Sequence, residues 1–387
     1  MPWRWWIASS AEQGGLEMSS ARAPIDLSRI RVLPLEQRRS LTSVEQILVD
    51  PESAPRALPQ GLSQVIEEAA ERVLAARRSD ASVMLIYGAH LVKNGGALIV
   101  ERMLKGQWVT HLATNGAGTI HDWEFAWLGR STESVRDNVA TGTFGAWDET
   151  GRSIHIALLA AGIANEGYGR GVGRFIAEDG VSLPEALELE DDIRREPGHP
   201  LTGARAELLV AMREHGLRGG RWQVVHRWKH ASILAAAFRH GVPVTVHPGI
   251  GYDIISNHPM FNGAAIGRAA HRDFGLFGGA VEGLDGGVVF SVGSAIMGPQ
   301  VFEKALSCVN NLRLQAGRPV VTGHSIYVVD LQDGGGWDWS RGEPAKDNPA
   351  YYLRFCKSYS RMGGRMRYAQ CDNVTFIHHL FHRLFRS

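Results

Sequence analysis

Residues 82–127 read SVMLIYGAHLVKNGGALIVERMLKGQWVTHLATNGAGTIHDWEFAW, and this stretch decides the fold. The apolar run Ser82 to Tyr87 ends at Gly88. Leu91 to Leu104 then spaces its apolar residues as a helix around Asn94-Gly95 and up to Lys105-Gly106. Trp108 to Ala113 is a second apolar run and stops at Thr114-Asn115-Gly116-Ala117-Gly118. Ile120, Trp123, Phe125 and Trp127 open the next helix, with Asp122 and Glu124 in its first turns. Two buried strands joined by a crossover helix form a βαβ unit, whose ligands bind at the carboxyl ends of the strands. Both strand-end turns, Gly88-Ala89-His90 and Asn115 to Gly118, are therefore expected to face one crevice. Glycines let backbone approach a ligand closely, and amides at a helix N-terminus favour an anion, so the second turn is a dinucleotide candidate. The alternative is a tight strand-to-helix turn only, since the third glycine of G-x-G-x-x-G is absent.

Outside this unit the chain is that of an ordinary globular protein: 387 residues, 44% hydrophobic and 21% charged. With Lys+Arg 41 against Asp+Glu 40, the net charge of +1 gives no basic field for nucleic acid or acidic lipid. No apolar run reaches the roughly eighteen residues that would span a bilayer, so no membrane partner is expected. Cys308, Cys356 and Cys371 form no C-x-x-C and leave an odd thiol, which suits a reducing, cytoplasmic setting. The tryptophan-rich start reads as a disordered leader over 1–23, with Met18 an alternative start. Residues 24–61 read as a docked arm, and 62–387 as one large α/β domain.

Leu62 to Arg78 is an amphipathic helix leading into the first strand, and Ser131 to Asp137 and Ile154 to Ile163 are further helical stretches. The run Gly167 to Gly173 is not a phosphate loop, because no strand precedes it and no Gly-Lys-Ser/Thr follows. A surface turn or a close helix contact is the better reading. Glu185 to Glu196 reads as a solvated helix face. Next come the helix His230 to His240, the strand Val242 to His247 with its turn Pro248 to Asp253, and the strand Gly286 to Val292 with Gly293-Ser294-Ala295. The helix Pro299 to Leu314 and strands at Pro319 to Val321 and Ile326 to Asp330 follow. Asp333 to Pro349 is a long loop of the kind kept for lids or binding. Tyr351 to Tyr359 reads as helix, Arg365 to Ala369 as strand and Val374 to Phe385 as the closing helix. The whole predicts a mainly parallel, doubly wound, Rossmann-like sheet with helices on both faces.

Candidate chemistry is sparse. His378 and His382 sit four apart as a metal pair would, but no third ligand is indicated, and surface histidines are the plainer reading, so no metal is expected. No G-x-S-x-G elbow supports serine hydrolysis. Asp253, at a glycine-rich strand end, either anchors a substrate ammonium or serves an Asx turn. Lysine occurs only at positions 93, 105, 229, 304, 346 and 357. Lys357 follows Phe355 after the long loop, and is either a solvated charge or an amine placed to attack an imine carbon. Asp330 and Asp372 are both candidates for the adenosine ribose.

The order of these pieces resembles the deoxyhypusine synthase family over roughly Leu62 to Leu384. The family's Ser-Asn-Leu turn looks like Ala89-His90-Leu91, and its Thr-Ala-Gly-Gly turn with acidic residues like Asn115-Gly116-Ala117-Gly118 with Asp122. Its aspartate-bearing strand end looks like His247 to Asp253, its triple-glycine turn like Gly293-Ser294-Ala295, and its proline-to-lysine segment like Pro349 to Lys357. Phe355 stands where the family has tryptophan, and Lys357 falls on the catalytic lysine. The resemblance implies NAD held at a subunit interface of a homotetramer and oxidation of spermidine's secondary amine. It also implies passage of the aminobutyl group through a lysine imine to a protein acceptor. In those terms Lys357 is the nucleophile, Asp253, Phe355 and Tyr351 line the amine site, and the glycine turns cradle NAD. Two departures bear on the substrate: an acidic residue of the family is Tyr351 here, and its histidine falls near Gln300. Asp333, Asp338, Glu343 and Asp347 are substitutes or solvated loop acids. The expectation is an NAD-dependent enzyme that oxidises an amine and transfers its alkyl group. The alternatives are an NAD-dependent amine or amino-acid oxidoreductase in which Lys357 is only a charge, or a non-catalytic nucleotide-binding protein.

Overall fold

The structure is a computed structural model and describes residues 24–386; the expected leader over 1–23 lies outside them. Its centre is a six-stranded, all-parallel sheet. The strands are β1 (Val83–Tyr87), β2 (His111–Asn115), β3 (Val244–His247), β4 (Val288–Val292), β5 (Ser325–Asp330) and β6 (Arg365–Gln370). They lie in the order β3-β2-β1-β4-β5-β6, the doubly wound order of dinucleotide-binding sheets. In β1 and β4 every residue is buried, as a sheet covered on both faces requires. Val83, Leu85 and Tyr87 pack into one layer while Met84 and Ile86 pack into the other, the alternation of a pleated strand.

The helices that place the site are α1 (Leu62–Arg78), α2 (Ala89–Lys93), α3 (Ala97–Lys105), α4 (Gly116–Leu128), α5 (Ile233–His240), α6 (Met297–Gln315), α7 (Arg354–Ser360) and α8 (Asn373–Phe385). The continuous helix expected over Leu91 to Leu104 is broken into α2 and α3. Gly95 takes φ +84°, and a Cβ there would fall 1.7 Å from the Ile47 carbonyl oxygen, so the arm packs where the helix would have run. Helix α4 starts at Gly116, four residues before the expected Ile120, because Asn115 caps it by accepting from the Gly118 amide at 2.9 Å.

Other expectations are corrected. Pro319 to Val321 is no strand; the Val321 amide donates to Asn310 Oδ1 instead of to a neighbouring strand. Tyr351 to Tyr359 is a 3-10 turn over Pro349–Tyr352 followed by α7. Gly167 to Gly173 opens the helix Tyr168–Ala177. Two of its glycines meet backbone, with Cβ positions 2.0 Å from the Val244 carbonyl at Gly169 and 2.6 Å from that of Leu234 at Gly173. A close helix contact is therefore the right reading of that run. The twenty-residue helix Gly263–Glu282 and the antiparallel pair Gly180–Leu183 with Gly220–Gln223 were not expected.

The arm is stitched to both ends of the domain. Thr42 and Ser43 pair with Ser131 and Arg130, and Arg38 is buried against Glu124. His378 and His382 each donate from Nε2 to the Pro51 carbonyl at 3.0 Å. That contact accounts for their spacing on α8. Among the described residues all three cysteines are free, and no helix is long and apolar enough to cross a membrane.

Candidate functional site

The sheet changes direction between β1 and β4, and the turns leaving those strands touch there. A Cβ on Gly88 would fall 2.0 Å from the Gly293 carbonyl oxygen. Gly293 itself has φ +61° and leaves no more than 2.2 Å between a Cβ and Asn373 Nδ2. Two turns without side chains therefore meet at the switch point, where a doubly wound sheet takes its ligand. Ala89 is half-buried and His90 exposed beside them. Ser294 Oγ accepts from the Gly298 amide at 3.0 Å and so starts α6. Asp330, at the end of β5, is half-buried, and its Oδ1 accepts from the Gln332 amide at 3.2 Å. Asp372 caps α8, its Oδ1 accepting from both the amide and the hydroxyl of Thr375 at 2.9 Å. Among the described residues Oδ2 of each ribose candidate has no hydrogen-bond partner, so both keep an oxygen to offer.

The Asn115 to Gly118 turn is occupied from within. Asn115 is spent as the cap of α4. A Cβ on Gly116 would lie 2.0 Å from Asp253 Oδ2, and one on Gly118 2.2 Å from Thr114 Oγ1. Asp253 therefore closes over the start of α4. It is 4% exposed, and Oδ2 accepts from the Gly249 amide at 2.7 Å. Burial pushes its carboxyl up to about 6, against the opposing amides of Gly249 and Ala117. The expected anion cradle at this turn is corrected: the protein's own carboxylate sits there. Asp122 is corrected as well. It is fully buried and caps α5, accepting from Ser232 Oγ and from the Ile233 and Leu234 amides, so no cofactor reaches it.

Around Asp253 lies a cavity of about 250 Å³ at the carboxyl ends of β1, β2 and β3. Ala117, Ile120, His121 and Glu124 line it from α4, and Lys93 enters from α2. The first four follow i, i+3, i+4, i+7, the period of one helix face, and Asp122 points the other way. That periodicity was present in the sequence and would have found His121.

The His121 ring is held by a buried chain. Ser131 Oγ lies 2.7 Å from His121 Nδ1 and donates its own proton to Glu124 Oε2 at 2.5 Å, so it accepts from Nδ1–H. Nε2 is then the ring nitrogen that carries a lone pair. Arg38 grips Glu124 with two hydrogen bonds of 2.7 and 2.8 Å, and Thr150 Oγ1 donates at 3.0 Å. Although burial opposes it, the Arg38 charge holds the Glu124 carboxyl below its ordinary value. Burial takes His121 down to about 4, with Glu124 opposing and Lys93, Arg38 and His90 reinforcing, so the imidazole is neutral at pH 7. Glu133, also on the cavity wall, is taken up by Asn138, the Gly145 amide and Trp147 Nε1. Among the described residues no carboxylate pairs with Lys93.

Lys357 lies elsewhere, among the residues joining β5 to β6. Its Nζ sits 3.6 Å over the Tyr351 ring and 4.0 Å from Glu343 Oε1. Glu343 also grips Arg361. Phe355 is 6% exposed and packs with Tyr368 in the core. Neither Tyr351 nor Lys357 lines the Asp253 cavity.

No family model and no curated protein matches the sequence. Three solved structures with loose similarity are informative about scale. The apo form of ArgZ, an arginine dihydrolase from the ornithine-ammonia cycle in cyanobacteria, shares 13% identity at TM-score 0.39, over 86% of this chain and 32% of that one. AgrE, solved as a ternary complex with ornithine and NAD+, shares 14% at TM-score 0.41, over 86% and 34%. A conserved protein assigned as LOR/SDH from Methanococcus maripaludis S2 shares 12% at TM-score 0.40, over 87% and 74%. The chain thus spans about a third of the length of ArgZ and AgrE.

Proposed function

We propose that the protein is an NAD-dependent oxidoreductase acting on an amine or amino acid. The observation that carries this is the cavity at the carboxyl ends of β1, β2 and β3, lined by Asp253, the neutral His121 and Lys93, a lysine with no ion-pair partner among the described residues. The residues that would hold the dinucleotide are those of the turns at the switch point, Ala89, His90 and Ser294, with Asp330 or Asp372 toward the ribose. NAD when bound supplies the hydride acceptor. Asp253 binds the cationic nitrogen of the substrate. Because Glu124 is paired with Arg38 and Glu133 is taken up by its own neighbours, the cavity offers that nitrogen the carboxylate of Asp253, which suits a monocation and not a polyamine, whose two buried charges would each need a partner.

Alkyl transfer through Lys357, as the resemblance to deoxyhypusine synthase implies, is the reading this one displaces. A ring face and a carboxylate are partners for an ammonium, whereas attack on an imine carbon needs the free amine. Lys357 thus serves as a charge. The test is NADH formation from NAD+ with a panel of amines and amino acids, followed by borohydride treatment and peptide mass spectrometry. Turnover without a lysine adduct is expected. An adduct on Lys357 that requires both NAD+ and one amine would establish the transfer chemistry instead.

A further inference from the structure

The charges of the cavity say more about the substrate than its nitrogen alone. Lys93 brings a cation with no matching carboxylate among the described residues. An unmatched ammonium facing a half-enclosed cavity is a site for an anion. Asp253, from the turn after β3, brings the complementary charge, and His121 on the same cavity wall has its lone pair fixed on Nε2. We propose that this cavity takes an α-amino acid as its zwitterion, carboxylate on Lys93 and ammonium on Asp253, and that His121 is the base that removes a proton from the bound nitrogen. The proposal rests on the oxidoreductase reading above and assigns the substrate class and the base within it.

The proton step balances on the chain's own atoms. One N–H bond of the substrate ammonium breaks, its electron pair stays on nitrogen, and an Nε2–H bond forms on His121. The resulting imidazolium keeps its Nδ1–H hydrogen bond to Ser131 Oγ, which donates on to Glu124, so its charge faces a buried carboxylate through one hydroxyl. Arg38 and Thr150 hold that carboxylate in place; Ser131, Glu124 and Arg38 are positioning residues. Lys93 also has a second effect. Its charge is one of those that keep the ring neutral, and a substrate carboxylate that neutralises Lys93 makes the ring more basic when substrate is present. The other charged groups facing the ring are Glu124 on its own helix, His90 on α2, Arg38 on the arm, and Asp253 and Glu133 across the cavity.

The experiment uses the full chain without nucleotide. Calorimetry is run with the twenty L-amino acids, their decarboxylated amines and their 2-hydroxy acids, and imidazole nitrogen NMR is recorded on the same samples. At least one amino acid should bind about tenfold or more tightly than both its amine and its hydroxy acid, the loss expected for one charge-assisted contact. Lys93→Met should bring the amino acid down to the level of its amine, and Asp253→Asn to that of its hydroxy acid. The wild-type His121 ring should be the Nδ1–H tautomer and titrate at higher pH with a carboxylate-bearing ligand bound. Ser131→Ala, which leaves the Arg38–Glu124 pair intact, should mix the tautomers. NADH binding is followed by fluorescence on every preparation. Protein that binds NADH but prefers decarboxylated amines, or binds no amino acid at all, overturns this proposal and leaves the oxidoreductase reading standing. Protein that binds amino acids as predicted but no nicotinamide nucleotide overturns the oxidoreductase reading and keeps the site.

Discussion

Replacing Arg38 with methionine isolates the residue on which the relay depends. Arg38 and Glu124 have side chains 1% and 0% exposed and share two hydrogen bonds of 2.7 and 2.8 Å. Removing one member of such a buried pair typically costs about 3–5 kcal/mol, because the other charge is left without a partner. Glu124 keeps Ser131 and Thr150 as donors, which places the loss near the lower end, about 3 kcal/mol. At about 2.1 cal/mol/K per residue, a 387-residue chain loses on the order of 4 °C of thermal midpoint for that energy. The pH dependence gives a second reading. In the native protein Glu124 is held below its ordinary value, so its contribution is present above the unfolded carboxylate range and is lost as pH falls through the folded value. In the variant, burial without Arg38 raises the same group. The folded state then binds the proton more tightly than the unfolded chain, and stability falls as pH rises. The deficit should be larger at pH 8 than at pH 5 by thermal melts, and a second change, Glu124→Gln, should recover most of it. A loss below about 1 kcal/mol, typical of exposed pairs, or a deficit that does not change with pH, would refute the reasoning.

Gly116→Ala puts a methyl 2.0 Å from Asp253 Oδ2; amine-side affinity should drop by calorimetry while NADH affinity holds. Gly88→Ala should separate the two turns at the switch point, with NADH fluorescence titration weakening and stability falling by about 1–3 kcal/mol, the usual range for overpacking. Asp122→Ala removes the acceptor of the Ile233 and Leu234 amides at the start of α5, where Ser232 remains the N-cap, and should cost about 1–2 kcal/mol in urea melts with NADH affinity unchanged; a selective loss of NADH binding would restore Asp122 to the cofactor site. Lys357→Arg keeps the charge over Tyr351 and should retain turnover, whereas a nucleophilic lysine could not be replaced in this way.

Much of the architecture was legible because buried parallel strands leave short apolar runs closed by glycine. Val83–Tyr87 and Val288–Val292 both appeared that way, and Leu62–Arg78 was read to the residue from its amphipathic period. The failures share a physical cause. Gly263–Glu282 and Tyr168–Ala177 are rich in glycine, which lowers local helix propensity, and tertiary contact overrode it. In the site, Asp253 was visible as a carboxylate at a strand end. His121 was passed over for Asp122, although the helical phase of α4 separates the two faces. Arg38 could not be read at all. Its partner is 86 residues away along the chain, and nothing local to the arm marks an arginine that will be buried.

The stitching of the arm sets a schedule for synthesis. Pro51 finds its hydrogen-bond partners in His378 and His382, 327 and 331 residues downstream. At roughly 5–20 residues per second, a ribosome needs on the order of 15–65 s to make the 327 residues between Pro51 and the first of them. Through that interval the arm lacks its anchor on the last helix, while Thr42 and Ser43 already have Ser131 and Arg130 to pair with. The charge relay, whose members lie between Arg38 and Thr150, can close long before α8 is made. A chain arrested just short of α8 would hold the whole sheet and every residue that lines the cavity, and would lack the tie at Pro51.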